Sequence, residues 1–370
     1  MMGGKSSNRQ LYMSAAVDGL NYQQCVQLAE MAERALLHAL IAPESSRLEK
    51  PAPSSPVLEP FTLLAALSAS TSTIGLIAEV HSAFYEPFHA ARKLAALDYM
   101  SSGRAGCLTL PGQEAAAANF GRVSKEQLRP HGYEASAAVE FAEAMQQLWD
   151  SWDDDALIYD KQAGMQFDEA KVREVNYTGR YYSTRGPLNI ARPPQGHPPI
   201  VVPIRTQDDK LAAARVADVM IIEPNSLEEA IELSLELREL LRQQGRQPEQ
   251  GRILASLTPI AVTAGSISEV DLRLGTVGGG GKTARGRLCC AGTAEEIADW
   301  IQLWHHSGAV DGFHIQPPLQ AALDSFGYFA EQVIPELQRR GMFRQTGSSS
   351  TSLREQLGLS RPINQFHVIR

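Results

Sequence analysis

The sequence predicts an α/β protein, a single (β/α)8 TIM barrel with insertions, and three observations support this fold class. Short apolar segments alternate with longer amphipathic segments about eight times along the 370 residues. The apolar segments are nearly continuous in hydrophobic residues, which is typical of parallel strands that helices cover. About eight strand–helix units favour a closed barrel over the alternative, an open doubly wound sheet.

In the first half of the chain, apolar runs such as RQLYMSAAV and STIGLIAEVHS predict strands, and the amphipathic stretches between them predict helices. Glu86 followed by Pro87 is typical of a helix start, because proline suits the first turn and a carboxylate suits the positive end of the helix dipole. The predicted elements are strands at 9–17, 36–43, 72–82 and 104–110, and helices at 21–35, 59–69, 87–100 and about 135–152.

Residues 153–196 interrupt the alternation with a turn-rich excursion that contains a hairpin, in which Asp153–Asp155 is expected to be a solvated connection. The alternation then resumes, so residues 1–345 are predicted to form the barrel. A shortened loop is expected at about 263–287 and a polar C-terminal tail at 346–370. The later elements are strands at 199–204, 218–224, 253–262 and 311–318, a strand at RLCCAG, and helices at 207–217, 226–244, 293–307 and 322–340.

Composition and charge limit the classes of function. The formal net charge is −8, from 34 Lys and Arg against 42 Asp and Glu. Nucleic acids and anionic membranes require a basic surface, so neither is expected as a partner. No apolar run reaches the roughly 20 residues of a membrane span, and the N-terminal MMGGKSSNRQ lacks the apolar stretch of a signal peptide. We therefore expect a cytoplasmic protein.

The four cysteines, Cys25, Cys107, Cys289 and Cys290, lack the spacing of metal ligands. They are expected to be buried thiols, with a metal or redox role as the alternative. Neither an HExxH motif nor a Ser–His–Asp arrangement is evident in the sequence. Hydrolase chemistry and a metal site are therefore not expected.

The glycine-rich segment GTVGGGGKTARGRLCC (275–290) looks at first like a phosphate-binding loop. The P-loop pattern requires a glycine five residues before Gly281, and that position is Thr276. The residues after Thr283 run toward a strand, whereas a P-loop opens a helix. An ATP or GTP site is therefore not expected. The segment is either a mobile linker or an anion site built from its basic side chains and backbone N–H groups.

In barrels of this class the chemistry lies at the carboxyl ends of the strands, so the residues just past each predicted strand are the site candidates. They are Pro43, His81, Ser82, Leu108–Pro111 (with Thr109 among them), Arg205, Thr206, Glu223 and His314.

Several long segments resemble one known family. EVHSAFYEPFHAARKLAALDYMSSGR, at the end of the stretch 58–104, and YYSTRGPLNIARPPQGHPPIVV (181–202) carry the resemblance most specifically. The resemblance extends almost from end to end of the chain through four further segments, at 141–157, 291–318, 333–344 and 353–362. Together they resemble the luciferase-like flavin-dependent monooxygenases, in the branch of the nitrilotriacetate, dibenzothiophene-sulfone and pristinamycin monooxygenases.

The resemblance implies a (β/α)8 barrel that binds reduced FMN at the carboxyl ends of its strands. A separate NAD(P)H:flavin reductase would supply the FMNH2, and oxygen would add to it to give a peroxyflavin that oxygenates a small organic sulfur or nitrogen compound. The resemblance also implies a homodimer or a dimer of dimers. Its members place a Gly-rich stretch before the segment that matches AGTAEEIADW, so GGGGKT is interpreted as the remnant of a loop at the barrel mouth.

Site residues follow from the same resemblance. His81 and His131 are the candidate catalytic residues, His81 as a flavin contact or proton donor; the alternative for His81 is a polar residue at the barrel mouth. The candidate cofactor-binding residues are Ser82, Thr109, Tyr133, Arg205 and Thr206. Arg205 and Thr206 stand where the family has paired serines for the FMN phosphate, and the alternative for Arg205 is an ion pair with Asp208 or Asp209.

Three positions depart from the family pattern. Pro43 stands where an Asp is usual, Leu108 where an Asn is usual, and Ala135 where a Tyr follows the histidine. Scaffold motifs are therefore retained better than site motifs. The leading interpretation is a two-component FMNH2-dependent monooxygenase; the alternative is a catalytically silent paralogue with weakened or lost flavin binding that acts as a binding or scaffold partner.

Overall fold

The chain forms a closed barrel of parallel strands. The computed structural model describes residues 10–44, 57–111, 119, 135–261, 280–282, 288–318, 322–347 and 352–367. The barrel strands are β1 (Tyr12–Ala16), β2 (Ala39–Ala42), β3 (Gly75–His81), β4 (Ala105–Leu110), β5 (Ile200–Ile204), β6 (Val219–Ile222), β7 (Arg252–Ala261) and β8 (Gly312–Ile315).

Each barrel strand pairs with the next one along the chain, and the last pairs with the first. In the closing pair, Tyr12 of β1 lies opposite Gly312 of β8. All eight of these pairings are parallel. The predicted (β/α)8 fold is therefore confirmed, and the open doubly wound sheet is excluded.

A helix follows each barrel strand and covers the outside of the sheet. These helices are α1 (Tyr22–Arg34), α2 (Pro60–Ser70), α3 (Pro87–Met100), α4 (Ala135–Trp149), α5 (Gln207–Val216), α6 (Leu227–Gln243), α7 (Ala294–His306) and α8 (Ala322–Tyr328). A π-helical stretch, Phe329–Val333, joins α8 to α9 (Ile334–Arg339). Among the described residues, no helix is both long enough and apolar enough to cross a membrane.

Polar caps explain where several helices begin. Asn21, Thr206 and Thr293 each accept a hydrogen bond from the third helical N–H, and the side chain at that third position bonds back to the cap residue. Such a capping box satisfies two N–H groups that lack partners at a helix start. Glu59 caps α2 in a related way, through the N–H groups of Phe61 and Thr62.

Side chains on the strands alternate between the barrel interior and the layer under the helices. On β4, Leu108 and Leu110 belong to the apolar cluster inside the barrel. Cys107, the residue before Leu108, belongs to the larger cluster between the sheet and the helices. This alternation follows from the two-residue period of a strand, and it decides which side chains can reach the barrel mouth.

The excursion predicted at 153–196 contains two small antiparallel strand pairs, Leu157–Asp160 with Met165–Phe167 and Tyr177–Thr178 with Ser183–Thr184. The expectation that Asp153–Asp155 is a solvated connection was wrong for Asp153. That side chain is buried and forms an ion pair with Arg173 at 2.7 Å.

Residues 352–367, part of the predicted tail, pack against the amino-terminal end of the barrel. They begin with a short helix, α10 (Leu353–Gln356). Leu353, Leu357 and Leu359 belong to the apolar cluster inside the barrel. The Arg354 guanidinium donates hydrogen bonds of 2.9 and 2.7 Å to the carboxylate of Asp218, the residue just before β6. This segment therefore seals the end of the barrel opposite the strand carboxyl ends.

Six residues of the glycine-rich segment 275–290 lie within the described residues, at 280–282 and 288–290. Gly280–Lys282 forms a strand that pairs antiparallel with the strand Leu288–Gly292. The latter strand pairs parallel with the end of β7 and leads into α7. A P-loop lysine would stand at the start of a helix, so this arrangement agrees with the rejection of an NTPase site. Residues 275–279 and 283–287 lie outside the described residues.

Candidate functional site

A cavity of about 140 Å³ opens at the carboxyl ends of the barrel strands. We call it the mouth cavity. Every barrel strand, or the residue just after it, contributes to its lining. Its polar lining residues are Asp18, Glu79, Arg205, Glu223, Ser256, His314 and Gln316, and its apolar ones include Leu20, Ile41, Leu108, Leu110, Pro203 and Ile221.

His81 and Glu79 form a pair at the end of β3. Both lie on the same side of the strand because they are two residues apart. The Nε2 of His81 lies 2.9 Å from Oε1 of Glu79. His81 is 1% exposed, and its Nδ1 has no hydrogen-bond partner among the described residues. With Nε2–H donating to the carboxylate, Nδ1 is the atom that is left to take up or release a proton.

Ser82 lies directly after β3 and is fully buried. Its backbone carbonyl accepts a hydrogen bond from the Tyr182 hydroxyl at 2.7 Å, which ties the strand end to the excursion. Its own Oγ has no partner within the described part of the chain. A buried hydroxyl without a partner is uncommon. Neither Ser82 nor His81 is among the residues that line the mouth cavity.

Arg205 and Thr206 lie together at the start of α5, but their roles differ. Arg205 lines the mouth cavity, and its side chain forms no ion pair with Asp208 or Asp209. Its backbone N–H donates to Asp209 Oδ2 at 3.0 Å. The Thr206 N–H donates to the same oxygen, and the Thr206 hydroxyl accepts from the Asp209 N–H at 3.2 Å. The helix start is therefore already capped, which leaves the Arg205 guanidinium as the group available to an anion.

Thr109 is separated from the other site candidates. It is buried, and it lies between the inward-pointing Leu108 and Leu110 on β4. Its side chain borders a small space under α4 and α5, outside the mouth cavity. His131 and Tyr133 lie outside the described residues, so their roles stay predictions.

The sequence analysis did not single out four polar residues that line the mouth cavity, namely Asp18, Glu79, Ser256 and Gln316. A signal for Glu79 was present: it is a lone carboxylate within the apolar run IGLIAEVHS, two residues before His81. Ser256 sits beside His314 in the strand register, and His314 Nδ1 lies 2.9 Å from the Ser14 hydroxyl. A row of polar side chains thus crosses β1, β8 and β7 inside the barrel.

The cysteines take no part in this cavity. All four are buried and unpaired by disulfides, as the sequence predicted. Burial raises the pKa of the Cys107 and Cys290 thiols to about 12 and that of Cys25 to about 11. Thiols with such pKa values are poor nucleophiles at neutral pH.

The residues of the mouth cavity fit a flavin. Its apolar side chains suit an aromatic ring system, and buried atoms without partners among the described residues, such as Ser256 Oγ, can bond ring heteroatoms. Arg205 supplies a cation for a phosphate. The capped start of α5 limits that phosphate contact mainly to the guanidinium.

Comparison with known proteins identifies the family. Residues 4–265 match the profile of the family described as Luciferase-like monooxygenase. N-acetyl-S-(2-succino)cysteine monooxygenase from Bacillus subtilis (strain 168) is 33% identical over 411 aligned residues, which cover 94% of this chain and 92% of that protein. The chain belongs to the luciferase-like monooxygenase family.

Two further similarities agree with this luciferase-like assignment. Nitrilotriacetate monooxygenase component A from Aminobacter aminovorans is 32% identical over 88% of this chain and 82% of its own length. The solved structure of EDTA monooxygenase from Chelativorans sp. BNC1 superposes with a TM-score of 0.81 at 25% identity, covering 95% of this chain and 99% of that one. The luciferase-like chain described here is thus a flavin-dependent monooxygenase, and its mouth cavity corresponds to the end of the barrel where such enzymes work.

Proposed function

We propose that this luciferase-like chain is the oxygenase component of a two-component system, which uses FMNH2 from a separate NAD(P)H:flavin reductase to oxygenate a small organic sulfur or nitrogen compound. The observation that carries the proposal is the mouth cavity, in which an apolar wall, buried polar atoms without partners and one guanidinium meet at the strand carboxyl ends. The relative named component A supports a division of labour between two proteins.

The residues in and beside the cavity have separable roles in this proposal. Arg205 and Glu79 line the cavity, whereas His81 and Ser82 lie beside it at the end of β3. Arg205 binds the phosphate of the flavin, and Ser82 offers its buried hydroxyl to the ring system. Glu79 orients His81 through Nε2 and leaves Nδ1 to hold or deliver a proton. The reduced flavin, when bound, supplies the electrons with which dioxygen is activated. The apolar side chains exclude water from the reacting centre.

His131 and Tyr133 are retained in the proposal as additional contacts of the flavin and the reacting centre, on the strength of the resemblance alone. Thr109 is retained only as a residue that packs between the end of β4 and the helices, because its side chain faces the helix layer. Assembly as a homodimer or a dimer of dimers, and a cytoplasmic setting, also stay predictions of the sequence.

The silent-paralogue alternative is not favoured. The similarity to proteins named monooxygenases runs over nearly the whole chain, and the cavity at the strand carboxyl ends is open and lined by polar atoms.

An isotope experiment tests the proposed reaction. The chain is incubated with a flavin reductase, NADH, FMN and a panel of small sulfides, sulfones and amines under ¹⁸O₂, and products are analysed by mass spectrometry. We expect one atom of ¹⁸O in a product that forms only when chain and reductase are both present. Label that appears equally without the chain, or with Glu79→Gln and His81→Asn combined, would argue against oxygenation in this cavity.

A further inference from the structure

Ser256 brings a buried hydroxyl to the wall of the mouth cavity. Its neighbours on β7, Ala255 and Leu257, belong to the apolar cluster between the sheet and the helices, so the two-residue period of the strand turns Ser256 into the barrel. Ser256 is 1% exposed and lines the cavity, and its Oγ has no hydrogen-bond partner among the described residues. A hydroxyl in this state can donate a hydrogen bond to a ligand as well as accept one.

Gln316 brings an amide oxygen to the same wall. It lies directly after β8, where Phe313 and Ile315 belong to the cluster under the helices, so the alternation places Gln316 on the inner side. Its backbone N–H donates to the Leu257 carbonyl at 2.9 Å, which fixes it beside β7. The Oε1 of Gln316 is buried and has no partner within the described part of the chain. This oxygen can only accept, so a ligand has to supply the donor.

The wall formed by β7 and β8 is separate from the residues proposed to hold the flavin. Those residues lie at the ends of β3 and β5, where Arg205 takes the phosphate, and β7 and β8 are two and three strands beyond β5 in the closed barrel. His314 completes the wall, and its Nδ1 lies 2.9 Å from the Ser14 hydroxyl. Among the cavity-lining residues that the structure describes, β7 and β8 contribute no Asp, Glu, Lys or Arg. A flavin bound from β3 and β5 therefore leaves an uncharged polar wall to the substrate.

The chemistry of the two buried oxygens selects between ligand groups. A carboxylate brings acceptors only, so the Gln316 Oε1 would stay unbonded. An ammonium brings donors, but its full charge would leave water at a wall without a permanent opposite charge. A secondary amide is uncharged and has one N–H and one carbonyl oxygen, so it satisfies both Gln316 and Ser256.

We propose that Ser256 and Gln316 bind an uncharged secondary amide group of the substrate. The Oε1 of Gln316 accepts the amide N–H, and the Ser256 hydroxyl donates to the amide carbonyl oxygen. Both residues orient the substrate on the β7–β8 wall and take no part in the chemistry. The inference rests on the proposed function, because it names the substrate class of that same site.

Calorimetric titration of the full chain at pH 7, with and without saturating reduced FMN under anaerobic conditions, tests this inference with three probes of matched shape. N-butylacetamide, butyl acetate and heptan-2-one share an acetyl group and a butyl chain, and they differ only in the N–H, oxygen or CH₂ that joins the two. We expect N-butylacetamide to bind about tenfold more tightly than either analogue, because only its N–H satisfies the Gln316 oxygen.

Two variants separate the two hydrogen bonds. Gln316→Met removes the acceptor at similar size, so it is expected to weaken amide binding about tenfold and to leave the ester and the ketone unchanged. Ser256→Ala removes the donor to the carbonyl oxygen that all three probes carry, so it is expected to weaken all three by a similar factor, about fivefold.

The matched control is Ser234→Ala on α6. Ser234 is 2% exposed and its Oγ also has no partner among the described residues, but it does not line the mouth cavity. Its removal is expected to leave the three affinities unchanged. An ester that binds as tightly as the amide, a failure of all three probes to bind, or equal effects of Ser234→Ala and Ser256→Ala would each overturn the inference.

Titration of the same proteins with reduced FMN distinguishes the two levels of the proposal. Flavin binding without an amide preference would overturn the amide site and leave the proposed function standing. An amide preference without flavin binding would support the amide site and overturn the proposed monooxygenase function. If Ser256→Ala and Gln316→Met weaken flavin binding and leave the probe affinities unchanged, the two residues contact the flavin, which also overturns the amide site.

Discussion

Glu33 on α1 connects two segments that are distant in the sequence. Its Oε1 accepts hydrogen bonds from the backbone N–H groups of Ser72 at 2.8 Å and Ile74 at 3.0 Å, and from the Thr73 hydroxyl at 3.0 Å. These residues lead into β3. Burial by itself would raise the pKa of Glu33, but the hydrogen bonds outweigh it and hold the pKa below its ordinary value.

The depressed pKa of Glu33 makes a contribution to stability that depends on pH. Because the folded-state pKa is the lower one, the stabilisation is fully present above the unfolded pKa of about 4.3 and is lost as pH falls through the folded value. Glu33→Gln should therefore lower the free energy of unfolding by about 1 kcal/mol at pH 7, allowing for partial exposure, and by less near pH 3. Urea unfolding of both proteins across this range measures the difference.

Glu30→Gln is the matched control for that experiment, because Glu30 lies on the same helix and its carboxylate forms an exposed ion pair with Arg34 at 3.8 Å. Its effect on the free energy of unfolding should be close to zero. A Glu33→Gln effect that stays constant from pH 7 to pH 3 would contradict the hydrogen-bonded carboxylate as its source.

At this scale the sequence predicted His81, Ser82 and Arg205 as site residues, because each ends or follows an apolar run that reads as a strand. Of the three, only Arg205 lines the mouth cavity among the described residues. The sequence analysis did not establish which side chains near each strand end point into the barrel. Thr109 was included with its neighbours although the two-residue period of β4 turns it toward the helices. Glu79 was passed over because a charge inside an apolar run looks like part of the strand.

At the scale of elements, the C-terminal segment acts as part of the barrel core. Leu353 is fully buried, and a Cβ placed on Gly75 or Gly106 would come within 2.5 or 3.3 Å of its side chain. A Cβ on Gly75 would also lie 2.9 Å from the backbone oxygen of His38, so β3 needs glycine there. At Gly106 the closest obstacle is the side chain of Ile77, at 2.8 Å. Arg354, bound to Asp218, and Leu357 extend the same contact across the end of the barrel.

Truncation of the Leu353 side chain should destabilise the whole barrel. Leu353→Ala leaves a cavity among buried apolar side chains, so we expect the free energy of unfolding to fall by about 2–5 kcal/mol. The control is Leu235→Ala on α6, where the leucine is 64% exposed and the expected change is within about 0.5 kcal/mol. Urea unfolding measures both. Equal small effects would show that residues 352–367 lie on the barrel without supporting it.

The sequence predicted the regular elements to within a few residues, since apolar periodicity and caps such as Asn21 and Thr206 are local signals. It did not predict the contribution of the tail. The leucines of LREQLGL stand among polar residues, so only the three-dimensional closure of the barrel shows what they cover. The burial of Asp153 was missed for the same reason, because its partner Arg173 lies twenty positions further along.

At the scale of the whole molecule, the number and order of the strand–helix units were sufficient to predict the closed barrel. Strands that follow one another in the chain are neighbours in space, so the topology is encoded in the order itself. The site was predicted only in part, because it combines side chains from all eight strands. Asp18, Glu79 and Glu223, for example, are distant in the sequence and come around one cavity only when the barrel closes.

The central claim is that this mouth cavity binds the reduced cofactor of the luciferase-like family. The most direct measurement is an anaerobic titration of the full chain with FMNH2, followed by fluorescence or calorimetry, with reduced riboflavin and the variant Arg205→Ala in parallel. We expect micromolar or tighter binding of FMNH2, weakened by Arg205→Ala far more than the binding of reduced riboflavin. An absence of FMNH2 binding at about a hundred times that concentration would contradict the account.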